Sequence, residues 1–165
     1  MHPVFKMSAG LAVLPLLAGL VVLSAFTGTA FAASPWSVFV KSGLAGRWAI
    51  SCKAAPSDQN PWMTYYKGDN GTVRRKLDRG PGTGNFNLTI DSASIEGNGT
   101  VRASMRNDDP AWGNTNGTVA IVVVKIADGH AHTLDSTSPD GQQWIKDGII
   151  LGNGAPSPSF EKCPN

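Results

Sequence analysis

Arg75 is the residue whose sequence surroundings most clearly indicate a chemical role. Val73, Arg75 and Leu77 share one face of a predicted strand, because strand side chains alternate between two faces. If Val73 and Leu77 face the interior of the domain, Arg75 faces it too, and an inward guanidinium can bind a ligand carboxylate through two parallel hydrogen bonds. Two alternatives remain open: the strand has the opposite register, or Arg75 pairs with an internal Asp.

Aromatic residues are numerous for so small a chain. The set comprises Trp62, Tyr65, Tyr66, Trp112 and Trp144. Rings near the mouth of a β-barrel often line ligand sites, because they combine flat apolar contact with a polar group. We therefore predict a ligand site formed by Arg75, Tyr66, Trp62 and Trp112, with the Tyr66 ring directed inward beside Arg75. The alternative interpretation is that these rings pack in the core and in a lid.

His130 and His132 have the spacing of metal ligands, because residues two apart in a strand lie on one face. Asp128 or Asp135 could assist, but the remaining His, His2, lies in the N-terminal leader. We therefore expect no metal and no other cofactor, and a structural or surface role for both His. No nucleophile–base pair is recognisable, so we also predict that the protein is not an enzyme.

Cys52 and Cys163 are the only cysteines, and they bracket most of the chain that follows the leader. In an oxidising compartment a lone cysteine pair forms a disulfide by default. We therefore predict a disulfide that ties the first strand to the C-terminal tail. The alternative is a pair of free thiols.

The first 32 residues have the pattern of a cleaved export signal. Lys6 is followed by the apolar stretch Leu11–Leu23, and Ala30-Phe31-Ala32 matches a small-residue cleavage site. The alternative is a retained membrane anchor, but Pro15 and the small residues at the end of the segment favour cleavage. We predict a signal peptide over residues 1–32, a single domain over 33–165, and a secreted or periplasmic bacterial protein without a stable membrane span.

Charge gives little indication of a charged partner. The chain has 14 Lys and Arg and 12 Asp and Glu. Cleavage of the leader would remove Lys6, so the net charge of the remaining chain is 14 − 1 − 12, or about +1. That value argues against binding to nucleic acid or to an anionic membrane. The remaining chain of about 130 residues suffices for one domain with a core. We expect a monomer whose partners are a small apolar or amphipathic molecule, or an envelope or secreted protein.

Gly and Pro recur at short intervals after the leader and exclude long helices. Alternating apolar residues between turn signals predict eight strands: Arg47–Ala54, Trp62–Lys67, Thr72–Arg79, Asn85–Ile95, Thr100–Arg106, Thr118–Ala127, His130–Ser136 and Trp144–Leu151. We expect a bulge near Ser92–Ser94, a short helical turn at Trp36–Ser42 under the barrel mouth, and a loop over Pro156–Asn165. The predicted fold is all-β, an eight-stranded antiparallel up-and-down barrel with a C-terminal tail; a sandwich is the alternative.

Gly46-Arg47-Trp48, at the start of the first predicted strand, resembles the Gly-x-Trp signature that opens lipocalins and the wider calycin group of small barrels. The resemblance implies an eight-stranded barrel with Trp48 closing its floor, against the last strand near Ile149–Leu151. The lipocalin Thr-Asp-Tyr loop signature is absent, and no Arg follows the last predicted strand to stack on Trp48. Residues 48–66 are also similar to uncharacterised exported bacterial proteins, and this similarity indicates no function for the chain.

Two functions fit these features best. The first is an exported, non-enzymatic barrel that binds a small apolar or amphipathic molecule in its interior. The second is a protein-interaction module, such as an inhibitor of a secreted protease that inserts Ala33–Gly43 into the enzyme, or a partner of a cell-envelope protein. An enzyme of a type that its motifs do not reveal is a third interpretation.

Overall fold

The computed structural model describes residues 33–83, 85–108, 119–138 and 140–164. The predicted signal peptide and Trp112 lie outside these residues. The described chain contains one α-helix, α1 (Pro35–Ser42), and ten strands: β1 (Gly46–Ala49), β2 (Trp62–Lys67), β3 (Val73–Asp78), β4 (Phe86–Glu96), β5 (Thr100–Asn107), β6 (Val119–Ala127), β7 (His130–Thr137), β8 (Gln143–Lys146), β9 (Ile149–Ile150) and β10 (Ser159–Lys162).

Eight of these strands form a closed barrel. β1 to β7 pair in sequence, and β10 closes the sheet by pairing with both β7 and β1. Every pairing is antiparallel. The predicted eight-stranded antiparallel barrel is confirmed, and the alternative of a sandwich is excluded.

The strand that closes the barrel is not the predicted one. The predicted strand Trp144–Leu151 is a hairpin, because Asp147 and Gly148 both have positive φ, 50° and 77°, and reverse the chain between β8 and β9. Asp-Gly favours this kind of two-residue hairpin turn, as Asp128-Gly129 also does between β6 and β7. The tail predicted as a loop instead supplies β10.

Helix α1 covers one end of the barrel. Ser34 caps it by accepting a hydrogen bond from the Ser37 backbone N–H, and Gly43 ends it in the left-handed conformation. The helix buries Phe39, whose ring stacks on Tyr65 with 5.1 Å between ring centroids. The same core cluster contains inward residues of β1 to β7 and β10, so the helix end of the barrel is packed with apolar side chains.

The first strand is shorter than predicted because Asn60 organises the chain that follows it. β1 ends at Ala49, whereas the prediction extended to Ala54. The buried Asn60 amide accepts from the Ser51 N–H at 2.8 Å and donates to the carbonyl oxygens of Ser51, Ala54 and Ala55. These bonds satisfy the backbone in a loop and replace a strand ladder.

The predicted disulfide between Cys52 and Cys163 is confirmed. Its Cα atoms lie 5.3 Å apart, and the residues are separated by 111 positions in the sequence. The Cys163 N–H donates to the Arg47 carbonyl at 2.9 Å, and the Cys52 N–H donates to Glu161 Oε1 at 2.6 Å. The bridge therefore fastens the closing strand β10 to β1.

The bulge in β4 lies at Asp91, where the pairing with β5 shifts between Ile90 and Ser92. This is one residue before the predicted stretch Ser92–Ser94. The described part of the chain contains no helix long and apolar enough to span a bilayer.

Candidate functional site

Trp48 closes the helix end of the barrel from within. Its side chain is 1% exposed, and its Nε1–H donates to the Leu44 carbonyl at 2.8 Å. Lys162, which lies opposite Trp48 in the pairing of β10 with β1, places Nζ 5.6 Å from the centroid of the Trp48 ring. The same ammonium donates to the Gly43 carbonyl at 2.7 Å, where α1 ends. Trp48, Lys162 and the helix terminus thus form one closed unit.

The predicted contact of Trp48 with Ile149–Leu151 is wrong. Ile149 lies in β9 and Leu151 directly after it, and both side chains are exposed. The barrel strand beside Trp48 is β10. The sequence has no Arg at the end of the last strand to stack on this ring, and Lys162 provides the cation instead.

Arg75 faces the barrel interior. In the pairing of β3 with its neighbours, Arg75 lies opposite Tyr65 of β2 and Leu88 of β4, and opposite residues share a face. Tyr65 is buried in the core and stacked on Phe39 of the helix, which fixes this face as the inner one. The register required for an inward Arg75 is therefore present.

Within the described part of the chain, the guanidinium of Arg75 has only weak hydrogen-bond acceptors around it. Nη2 lies 2.9 Å from Sδ of Met63, and Nη1 lies 3.8 Å from Sδ of Met105. Its carbon lies 6.0 Å from the centroid of the Tyr65 ring. Nε is buried and has no hydrogen-bond partner among the described residues. Thioether sulfur is a weak acceptor, so these contacts do not replace a carboxylate.

No carboxylate within the described chain pairs with Arg75. The ion pairs there use Arg74, Lys76, Arg79, Arg102 and Arg106. The alternative in which an internal Asp neutralises Arg75 therefore finds no support in the described residues. Arg75 is partly buried, and its buried Nε–H without a partner carries a desolvation cost that an acceptor stronger than sulfur would offset.

Arg75 contacts the buried side chains of Tyr65, Met63 and Met105 and also lies next to apolar side chains that are only partly buried. Leu77, Leu88 and Phe86 face the interior on β3 and β4, and each is only partly buried. At the helix end, by contrast, Phe39 and Leu44 are completely enclosed. Around Arg75 the described interior thus combines buried core side chains, a guanidinium and apolar side chains that are only partly buried.

Tyr66 and Trp62 lie on the outer face of the barrel, away from Arg75. Tyr66 pairs with Arg74, and Trp62 pairs with Asp78, both on the face opposite to that of Arg75. The expectation that the Tyr66 ring points inward is wrong, and Tyr65 occupies the inner position. The loop between the paired residues Lys67 and Val73 has five residues, Gly68–Thr72, and this register places Tyr65 opposite Arg75. A symmetric four-residue turn at Gly68–Gly71 would instead have paired Tyr65 with Arg74, so the turn residues alone did not give the register.

Around Trp62 and Tyr66 the outer surface is concave. A recess of about 300 Å³ is lined by both rings together with Arg47, Pro56, Thr64, Lys76 and Asp78. The guanidinium carbon of Arg47 lies 4.9 Å from the centroid of the Trp62 ring, and Trp62 Nε1–H donates to the Ala54 carbonyl at 3.2 Å. These contacts fix the Trp62 ring on the barrel surface.

A group of charged residues lies beside this recess on β3 to β5. Asp108 accepts hydrogen bonds from the hydroxyl of Thr89 and from Nε of Arg106, the latter at 3.2 Å, and lies 3.8 Å from Arg74. Partial burial raises the pKa of Asp108, but the Thr89 and Arg106 hydrogen bonds and the positive charges of Arg106 and Arg74 lower it further. The net pKa lies below the ordinary value, so this carboxylate stays ionised.

His130 and His132 are held by local hydrogen bonds. Nδ1 of His130 lies 2.9 Å from the Asp128 carbonyl, and Nε2 of His132 lies 3.3 Å from the Ser159 hydroxyl. Among the described residues no group of three or more His, Cys, Asp and Glu side chains is arranged to hold a metal ion.

The β8–β9 hairpin carries an exposed apolar patch formed by Trp144, Ile149 and Leu151. Their exposed fractions are 56%, 38% and 52%. The Leu151 N–H donates to the Trp144 carbonyl at 2.9 Å, and Ile149 pairs with Lys146, so the three apolar side chains share one face of the hairpin. The sequence signal that distinguishes this segment from a barrel strand is Asp147-Gly148, the same hairpin dipeptide as Asp128-Gly129, which the prediction of one strand over Trp144–Leu151 overlooked.

The chain was compared with protein-family models, curated proteins and solved structures, and none of them matches it significantly.

Proposed function

We propose that the barrel binds a small amphipathic molecule with a carboxylate group, and that Arg75 receives the carboxylate. The observation that carries this proposal is the inward guanidinium of Arg75, whose Nε lacks a partner among the described residues and whose Nη atoms contact only sulfur there. A carboxylate would supply two strong acceptors in the geometry that a guanidinium prefers. The role is binding, without a chemical step.

The apolar part of the ligand has a place beside the cation. Leu77, Leu88 and Phe86 offer inward apolar surface that is not fully buried. A hydrocarbon tail would bury this surface, and burial contributes about 25 cal/mol per Å² of apolar area. A carboxylate joined to a short apolar chain or ring therefore matches the site better than a purely polar anion does.

We further propose that the protein is a calycin-like barrel that acts after export. The closed unit of Trp48, Lys162 and the terminus of α1 supports the resemblance carried by Gly46-Arg47-Trp48. The disulfide between Cys52 and Cys163 is compatible with an oxidising compartment, secreted or periplasmic. Ligands of this kind would then be bound outside the cytoplasm.

A fluorescence titration with dansyl-labelled undecanoic acid tests the binding function. Arg75→Leu should weaken binding by about ten- to a hundredfold, the loss expected for a charge-assisted hydrogen bond. Arg74→Leu is the matched control, because Arg74 is adjacent in sequence and faces outward. The methyl ester of the same probe should bind the wild type and Arg75→Leu equally weakly. Equal affinity of all three proteins for the acid would refute the proposal.

A second candidate function is binding of an envelope or secreted protein through the β8–β9 hairpin. The exposed face of Trp144, Ile149 and Leu151 favours it, because contiguous apolar surface on an exported domain often marks an interaction site. A photo-crosslinking amino acid at position 144 tests this in envelope preparations. One defined protein adduct that is lost with Leu151→Gln supports it, and adducts only with a second copy of this chain, or none, count against it.

A further inference from the structure

The outer face of β2 carries a second set of residues with the chemistry of a binding site. We name it the outer β2 groove and define it by the residues that line one recess, namely Arg47, Pro56, Trp62, Thr64, Tyr66, Lys76 and Asp78. Its residues lie on the face opposite to that of Arg75, so it is independent of the proposed interior site.

The strand register places two cations on either side of the groove. Thr64 lies opposite Arg47 of β1 and opposite Lys76 of β3. With about 4.8 Å between neighbouring strands, the backbones of Arg47 and Lys76 are separated by about 10 Å. A negatively charged group above Thr64 would therefore be within reach of both side chains.

The two aromatic rings lie along the strand before and after this position. Trp62 and Tyr66 are four residues apart on one face, which corresponds to about 13 Å at 3.3 Å per residue. Flat rings on a surface pack against the apolar faces of sugar rings and leave polar groups free for hydrogen bonds. The spacing fits an extended chain that contacts one ring, then the cations, then the other ring.

The cations are available to a ligand. Arg47 is an exposed residue that makes no ion pair within the described chain, and its guanidinium lies over the Trp62 ring. Lys76 lies 3.8 Å from Asp78, and both side chains are partly exposed. Such an exposed pair contributes little stability and can be exchanged for a ligand anion.

The groove continues into neighbouring recesses that share Tyr66. One extends over β1 toward Lys162, and another, of about 710 Å³, extends over β3 and β4 past Arg74. The three recesses together are lined by five cations, Arg47, Lys67, Arg74, Lys76 and Lys162, and by three Asp. Because the ammonium of Lys162 already contacts the Trp48 ring and the Gly43 carbonyl, the other four cations face a ligand here, against the three Asp.

We propose that the outer β2 groove binds an acidic polysaccharide, with sugar rings on Trp62 and Tyr66 and a carboxylate between Arg47 and Lys76. A polysaccharide fits better than a single-stranded nucleic acid, because the hydroxyl groups of Thr64 and Tyr66 and the carboxylate of Asp78 in the groove are suited to hydrogen bonds with the many hydroxyl groups of sugars. The length of the combined recesses favours a polymer over a single sugar.

Binding of oligogalacturonate, measured by isothermal titration calorimetry, tests this proposal. The wild type should bind oligogalacturonate, and binding should weaken strongly between about 0.05 M and about 0.5 M salt because exposed charges are screened. Arg47→Gln with Lys76→Gln should weaken it by about ten- to a hundredfold. Lys76→Arg should retain binding, and so should Lys125→Gln, since Lys125 is exposed on β6 away from the groove.

A control variant and two comparison ligands distinguish binding in this groove from binding at other sites and of other ligands. Arg75→Leu should bind oligogalacturonate as the wild type does, so this proposal can fail or hold independently of the interior site. A neutral malto-oligosaccharide and oligothymidylate should each bind more weakly than oligogalacturonate. The proposal is overturned by an absence of oligogalacturonate binding, by equal or tighter binding of either comparison ligand, or by an unchanged affinity in the double variant.

Discussion

Nη2 of Arg75 lies 2.9 Å from Sδ of Met63, inside the barrel and on the same face as Tyr65. A guanidinium in such a place normally meets a carboxylate or a carbonyl. Here sulfur takes the position that a stronger acceptor would occupy. Under the proposed function, the same residue would weaken the ligand-free barrel and receive the anion of the ligand.

Arg75→Leu should stabilise the ligand-free protein, although it weakens ligand binding. Replacing an inward charge that lacks an anion by an apolar side chain is often stabilising, and we expect about 1 kcal/mol or more. Thermal unfolding without ligand checks this. Arg74→Leu breaks an exposed pair with Asp108 and should change stability by less than about 1 kcal/mol. A melting temperature of Arg75→Leu well below that of the wild type would contradict the account.

The Cys52–Cys163 disulfide should contribute several kcal/mol to stability. It closes a loop of 111 residues, which the chain-entropy model values at about 4–5 kcal/mol. Cys52→Ser with Cys163→Ser should therefore lower the melting temperature by several degrees or more. Adding a reductant to the wild type should reproduce the shift and leave the double variant unchanged. Free thiols in the native, air-purified protein would refute this prediction.

Trp48→Ala should cost about 3–5 kcal/mol, the usual range for a fully buried aromatic side chain. Lys162→Met is the matched variant, because it keeps an apolar stem over the ring and removes only the ammonium. That variant should cost about 1 kcal/mol, from the cation–π contact and the bond to Gly43. Equal losses of stability in chemical denaturation would show that burial of the ring is not the main source of stabilisation at this end of the barrel.

Asp108 should make stability depend on pH in the acid range. Its pKa is lower in the folded protein than the ordinary 3.8, so its stabilising effect is complete above that value. The effect disappears as the pH falls through the lowered folded pKa. At neutral pH the free energy of unfolding of the wild type should exceed that of Asp108→Asn by less than about 1 kcal/mol. In strong acid the two free energies should be equal.

Urea unfolding at a series of pH values measures this difference. Asp69→Asn, on the exposed turn after β2, serves as the control. A difference between the wild type and Asp108→Asn that grows as the pH falls below 3.8 would have the wrong sign for a carboxylate with a lowered pKa.

Strand periodicity was sufficient for most of the barrel and for the orientation of Arg75. Val73 and Leu77 define an apolar face, and Arg75 must share it because the alternation has no exception within β3. Tyr66 could not be placed by the same reasoning, because Tyr65 beside it is equally compatible with an interior position. Only the register across the β2–β3 turn separates the two.

The closing strand escaped prediction because its own residues carry little signal. Ser159–Lys162 contains one apolar residue, Phe160, and follows Pro156 and Pro158, which are typical of loops. Its position is set by distant partners, namely β1, β7 and the disulfide at Cys163. Trp144–Leu151, with stronger strand propensity, is instead reversed at Asp147-Gly148 and lies outside the barrel.

The exposed patch and the outer β2 groove could not be derived from residue types alone. Trp144 and Trp62 both look like core residues in the sequence, since Trp is highly buried on average. Trp144 is exposed because it lies in the hairpin after β7, and Trp62 because its side chain points to the outer face of β2. Both facts are properties of the assembled sheet.

The most direct test of the central claim is the NMR signal of the Arg75 Nε–H group, assigned by its absence in Arg75→Lys. This group lacks a partner among the described residues, so its shift reports the arrival of an acceptor. Adding laurate should move the Arg75 signal markedly and leave the Arg74 signal in place, whereas methyl laurate should move neither. An Arg75 signal that stays unchanged at saturating laurate would contradict the account.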